Sequence, residues 1–117
     1  MLDSTDIGPL VNADGLHRIE EMVKDAVNKG ARVLTGGKRL RDKGYFYAPT
    51  VLDNVTPDMM VAHEEVFGPV APVTVVEDEN EAVRLANSSQ YGLGASIWTK
   101  NLEKAEKLSR LIESGIV

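Results

Sequence analysis

The sequence contains no cysteine. That absence excludes a disulfide framework, a thiolate metal site and a thiol nucleophile within these 117 residues, so stability has to come from packing. Aromatic residues are scarce, at 5%, which leaves aliphatic side chains to build the core. No apolar run approaches the roughly 18 residues of a membrane span, and no charged segment followed by an apolar one opens the chain. Those two absences predict a cytoplasmic protein. Positive charge is also in deficit, with 13 Lys and Arg against 18 Asp and Glu and a net charge of −5. No cationic face is therefore expected to collect phosphates, and neither nucleic acid nor membrane is expected as a partner. The one basic cluster, Lys38-Arg39-Leu40-Arg41, reads as a solvated loop. Histidine occurs twice, and neither copy has a second histidine at ligand spacing. His63-Glu64-Glu65 thus lacks the partner that a His-Glu-x-x-His zinc site needs, His17 reads as a structural histidine, and no metal site is expected.

What the chain does have is 43% apolar residues, enough to bury a core, in a length that suits one domain over residues 1–117. After an irregular lead-in, Asn12 can cap a helix over 13–29. Leu16, Ile19, Met22, Val23, Ala26 and Val27 keep helical spacing there, and Gly30 closes it. Glu20/Lys24 and Asp25/Lys29 fall four apart on its outer face. A strand over 31–35 runs into Gly36-Gly37, which lacks the Lys-Ser/Thr of a phosphate loop and is expected to serve backbone geometry. A second strand is expected over 46–52, with Pro49 marking an edge or an irregular start.

Thr56-Pro57-Asp58 combines a hydroxyl cap, a proline suited to the first helical position and an acid, so a short helix is expected from there to Glu65. A strand over 70–76 follows. Asp78 caps a helix over 79–88 with Ala82, Val83, Leu85 and Ala86 inward; a strand is expected over 93–99. Asn101 then caps a helix over 102–113 with Leu102, Ala105, Leu108, Leu111 and Ile112 inward and Glu103/Lys107 and Glu106/Arg110 outward. Gly92-Leu93-Gly94 is no dinucleotide fingerprint, because the third glycine is absent and a strand pattern follows it. Asn54 and Asn87, though in formal glycosylation triplets, read as turn or capping residues. Strand and helix alternate through the second half, which implies right-handed crossovers and a mostly parallel sheet.

The most unusual stretch is His63-Glu64-Glu65-Val66-Phe67-Gly68-Pro69-Val70. A carboxylate offers two acceptor oxygens that can each take a hydrogen bond from one of two vicinal hydroxyls, so Glu64 or Glu65 suits a ribose diol. Phe67 can cover a flat ring, Gly68 permits close approach, and Pro69 fixes the exit into the next strand. The alternative is an acidic helix end followed by a phenylalanine that plugs the core.

Glu-Glu-Val-Phe-Gly-Pro-Val closely resembles the signature of NAD(P)-dependent aldehyde dehydrogenases. Asp6-Ile7-Gly8-Pro9-Leu10, the block from Gly30 to Gly37, the block from Gly44 to Leu52, and Ala86-Asn87-Ser88-Ser89-Gln90-Tyr91-Gly92-Leu93 resemble further family blocks in family order. The resemblance implies a three-layer α/β/α fold with a mostly parallel sheet, here a single partial catalytic domain over 1–117. It implies NAD or NADP as cofactor, with Glu65 binding the nicotinamide ribose and Phe67 packing near the nicotinamide. It further implies an aldehyde substrate, oxidised through a cysteine thiohemiacetal and thioester. The family's cysteine nucleophile, glutamate base and dinucleotide domain lie upstream of these blocks, so no catalytic residue is expected within this chain. The chain then resembles an excised fragment, inactive alone and prone to self-association, whose wording is most like the succinate-semialdehyde branch. The rival reading is a stand-alone acidic α/β binding or interaction module without catalysis.

Overall fold

The computed structural model describes residues 5–117, so the first four residues of the expected lead-in lie outside the described part. The chain forms two compact units, one running to Val75 and the other from Val76 to Val117. In the first, α1 spans Ala13–Asn28. Asn12 caps it as expected, its side chain accepting the Gly15 N–H at 2.8 Å. At the other end the Ala31 N–H reaches Ala26 O at 2.8 Å and the Gly30 N–H reaches Val27 O at 3.1 Å. With Gly30 at φ 104 this is a Schellman closure.

Strand β1 spans Arg32–Thr35, β2 Thr50–Asp53 and β3 Val70–Pro72, in the order β1-β2-β3. The α/β class holds, but the sheet is mixed: β1 pairs with β2 antiparallel, whereas β2 pairs with β3 in parallel. β2 is shorter than expected and central. Pro49 precedes it, and Tyr47 instead bridges Arg39 across the hairpin. Asn54 leaves β2 at φ 57, a turn conformation that asparagine tolerates.

Thr56-Pro57-Asp58 does not start a helix. The Met59 N–H bonds to Thr56 O at 3.1 Å, closing a four-residue turn with proline at its second position. Helix α2 is only Met60–His63, and the residue before it, Met59, provides no side-chain cap. Leu16, Ile19, Met22, Val23 and Ala26 of α1 join Leu52, Val55, Met59 and Val61 in one buried cluster. This unit by itself is therefore two layers, helices over one face of a mixed sheet. At roughly 25 cal/mol per Å² of apolar area, such burial is the main force holding it.

The second unit holds α3, Glu79–Ala86, and α4, Leu102–Ser109. Asp78 and Asn101 cap them, accepting the N–H groups of Glu81 at 2.8 Å and Lys104 at 3.0 Å. The strand expected over 93–99 does not form. Two hydrogen bonds link the stretch that begins at Gly92 to the chain end, Gly115 N–H to Gly92 O and Ala95 N–H to Ile116 O, both at 2.8 Å. They rise together in residue number, as a parallel pair would, but two bonds do not make a ladder. The inward stripes are not buried either: no residue from Val76 to Val117 is buried, and Leu102 is 82% exposed. An amphipathic face is buried only where another apolar face meets it.

Candidate functional site

The signature loop starts where α2 ends. Glu64 takes extended backbone angles, φ −105 and ψ 153, and in extended chain successive side chains point to opposite sides. The loop follows that rule closely. Glu64 is half-buried, Val66 packs against the core cluster and Gly68 is half-buried. Glu65 and Phe67, between them, are exposed, Phe67 to 76%. The phenylalanine therefore does not plug the core.

Each inward position has a distinct anchor. The Glu64 carboxylate accepts a charge-assisted bond from Arg18 Nη2 at 2.8 Å. Val66 supplies apolar contact. A β-carbon at Gly68 would lie 2.6 Å from Cδ1 and 2.7 Å from Cγ1 of Ile19, which is 1% exposed, so only glycine lets the loop approach α1 this closely. Pro69 O accepts the Thr50 N–H at 2.8 Å and so ties the loop exit to the head of β2. The glycine of the motif thus makes its close approach to the protein's own core.

The outward positions are left free. Among the described residues, the Glu65 carboxylate has no hydrogen-bond or ion-pair partner, and Phe67 stands on the same side of the loop two residues on. A carboxylate with unused acceptor oxygens beside an uncovered aromatic face can receive a vicinal diol and an adjoining flat ring.

Most of the other candidates take structural roles. Arg39 of the basic cluster forms a two-pronged bond with Glu20, at 2.5 and 2.6 Å, in place of the expected Glu20/Lys24 pair. That contact holds the Glu20 carboxyl below its usual range. Arg41 stacks over the Phe46 ring at 5.1 Å. His17 is exposed and lies 3.6 Å from Glu20. Among the described residues no group of His, Asp or Glu is arranged to hold a metal ion, and no helix is long and apolar enough to cross a membrane.

Three working contacts were not legible as such in the sequence. Arg18 and Glu64 are 46 positions apart, and no local pattern pairs them. Asp25, expected only on an outer face, reaches α2. Asn87 donates to Leu111 O at 2.8 Å and accepts from the Glu113 N–H at 2.9 Å, fastening the end of α3 to the turn after α4. An amide that does both is suited to that task, because one side chain carries donor and acceptor together.

The chain is similar in sequence and fold to proteins of known identity. The chain is 46% identical over 114 residues to the succinate-semialdehyde dehydrogenase [NADP(+)] of Deinococcus radiodurans, covering 97% of this chain and 24% of that one. The crystal structure of succinate-semialdehyde dehydrogenase from Burkholderia pseudomallei superposes with a TM-score of 0.94 at 40% identity, over 99% of this chain and 24% of that one. The Mycobacterium tuberculosis aldehyde dehydrogenase complexed with NAD+ gives a TM-score of 0.87 at 38% identity, over 94% and 23%. The chain thus spans about a quarter of the length of these relatives. The family model for aldehyde dehydrogenases matches residues 1–117, and by that match throughout its length the chain belongs to the aldehyde dehydrogenase family.

Proposed function

We propose that this chain is the part of an NAD(P)-dependent aldehyde dehydrogenase that presents the nicotinamide-side loop, in an enzyme oxidising aldehydes to carboxylic acids. The observation that carries this reading is the shared outward side of Glu65 and Phe67, one a carboxylate without a partner among the described residues and the other an exposed ring. Glu65 would hold the two hydroxyls of the nicotinamide ribose, and Phe67 would lie against the ring. A bound nicotinamide supplies the hydride acceptor; these residues would orient it, and the negative charge of Glu65 suits its oxidised, cationic form. Bond-making is assigned to a cysteine thiolate and a glutamate outside these residues, as the family resemblance implies. Succinate semialdehyde is the proposed substrate, supported by the names of several relatives.

The test is Glu65→Gln in the full-length enzyme. Glutamine keeps one carbonyl acceptor where the carboxylate has two, so the ribose can swing. Misplacing reacting atoms by about 1 Å can cost on the order of a hundredfold in rate. Turnover should fall well beyond any loss of stability, and single-turnover hydride transfer equal to wild type would remove Glu65 from the site. The isolated chain, with no cysteine, should oxidise no aldehyde. Its two side chains recover too little to offset the ~4 kcal/mol or more of lost translational freedom, so calorimetry should find no micromolar affinity for NAD.

A further inference from the structure

We infer that Arg18 is a positioning residue for the cofactor side of this enzyme, acting through its ion pair with Glu64. The inference rests on the proposed role of Glu65 and extends it to a residue in a different element. Glu65 and Phe67 are themselves unanchored, so their direction is set by what holds the neighbouring inward residues. Val66 and Gly68 are held by packing, which fixes depth but not the twist of the chain at the helix exit. On the other side of Glu65 the adjacent residue is tied by the 2.8 Å bond from Arg18 Nη2 to Glu64 Oε2, while the His63 ring, one residue further back, lies 3.3 Å from Pro57 O in the turn before α2. Arg18 can hold that point because it stands on α1 between Leu16 and Ile19, which are 3% and 1% exposed. Its own side chain is 51% exposed and that of Glu64 32%, so the pair adds little to global stability. It is placed where it restrains direction: losing it frees the backbone at Glu64 to rotate, and Glu65, the next residue along the chain, turns with it.

The test uses the full-length enzyme with Arg18→Met, Arg18→Lys, Glu64→Gln, the charge swap Arg18→Glu/Glu64→Arg, and Glu65→Gln alongside. Arg18→Met and Glu64→Gln should each raise KM for the nicotinamide cofactor and slow single-turnover hydride transfer by about tenfold, short of the hundredfold possible for a full ~1 Å displacement. KM for the aldehyde and the melting temperature should stay close to wild type. Arg18→Lys should recover part of the loss and the charge swap most of it. Arg18→Met with unaltered hydride transfer, while Glu65→Gln remains impaired, would overturn the positioning role and leave the site intact. Unaltered transfer in Glu65→Gln would overturn the site reading, and this inference with it. Equal losses in both KM values together with a lowered melting temperature would make Arg18 merely structural.

Discussion

The carboxylate of Asp25, on α1, accepts the Met60 N–H at 2.8 Å and so caps a helix that begins 35 residues later. A helix of four residues leaves its first N–H groups without internal partners, and Met59 has no side-chain oxygen to offer. Asp25 provides the missing acceptor from outside. Lys29 completes the joint, lying 2.9 Å from Asp25 Oδ1 and donating to Asp58 O at 2.6 Å. What reads in sequence as a solvated pair four apart is the clasp between α1 and α2, and the signature loop hangs from the far end of α2.

Asp25→Ala should therefore loosen α2 specifically. The Met60 amide is expected to lose hydrogen-exchange protection while the centre of α1 keeps its own. The acid side of the stability curve should change too. The Met60 N–H, and after it Lys29, lower the folded pKa of Asp25 from 3.8. A depressed carboxylate contributes stability that is fully present above its unfolded pKa and is lost as pH falls through the folded one. The stability gap between wild type and Asp25→Ala, followed by denaturant titration, should hold constant near neutrality and close as the pH is taken through 3.8 and below. A gap that is independent of pH would exclude this linkage.

Gly68→Ala should cost stability by overpacking, in the range of about 1–3 kcal/mol. The added methyl meets Ile19, which is buried and cannot swing aside. Ile19→Val, which deletes the Cδ1 atom nearest that methyl, should cost about 0.5–1.5 kcal/mol alone. Combined with Gly68→Ala it should recover part of the loss, since Cγ1 stays in place. A double-mutant cycle showing simple additivity would mean that the loop relieves the clash elsewhere.

Sequence signals were reliable where the physics is local. Asn12, Asp78 and Asn101 cap the helices expected of them because a cap bonds only two or three residues ahead, and Gly30 closes α1 for the same reason. Thr56-Pro57-Asp58 misled because a helix start and a proline turn share the same residues; the choice fell to the Met59 side chain, which is fully buried. The sides taken by Glu65 and Phe67 depend on the phase of an extended segment. That phase is set by Arg18 and Ile19, far away in sequence. The faces of α3 and α4 were legible as amphipathic, but periodicity does not say what covers them. The mixed sheet was missed because the hairpin joining β1 to β2 spans 14 intervening residues, from Gly36 to Pro49, and carries no short-turn signature.

Phe67→Leu separates ring contact from simple burial in the full-length enzyme. The native side chain is 76% exposed, so the fold should scarcely notice, with a stability change inside about 0.5 kcal/mol. Leucine is apolar but has no flat face, so cofactor KM should rise while Phe67→Tyr stays near wild type. If leucine and tyrosine behave alike, Phe67 serves as apolar cover only.

The isolated chain should associate with itself through residues 93–117. Leu93 is 90%, Trp98 93%, Leu102 82% and Ile116 73% exposed, and no residue of that unit is buried. Apolar surface of this kind, joined to backbone groups of 93–99 that no ladder satisfies, offers both a sticky face and an edge to a second copy. Exchange between identical chains is the low-cost way to cover them. Trp98 is the only tryptophan, so its fluorescence reports this surface alone. Emission should shift to the red on dilution, in step with a fall in sedimentation coefficient, and Leu93→Ser with Leu102→Ser should lower the association constant. A single monomer species with water-exposed Trp98 emission at every accessible concentration would show that these residues tolerate exposure without a partner.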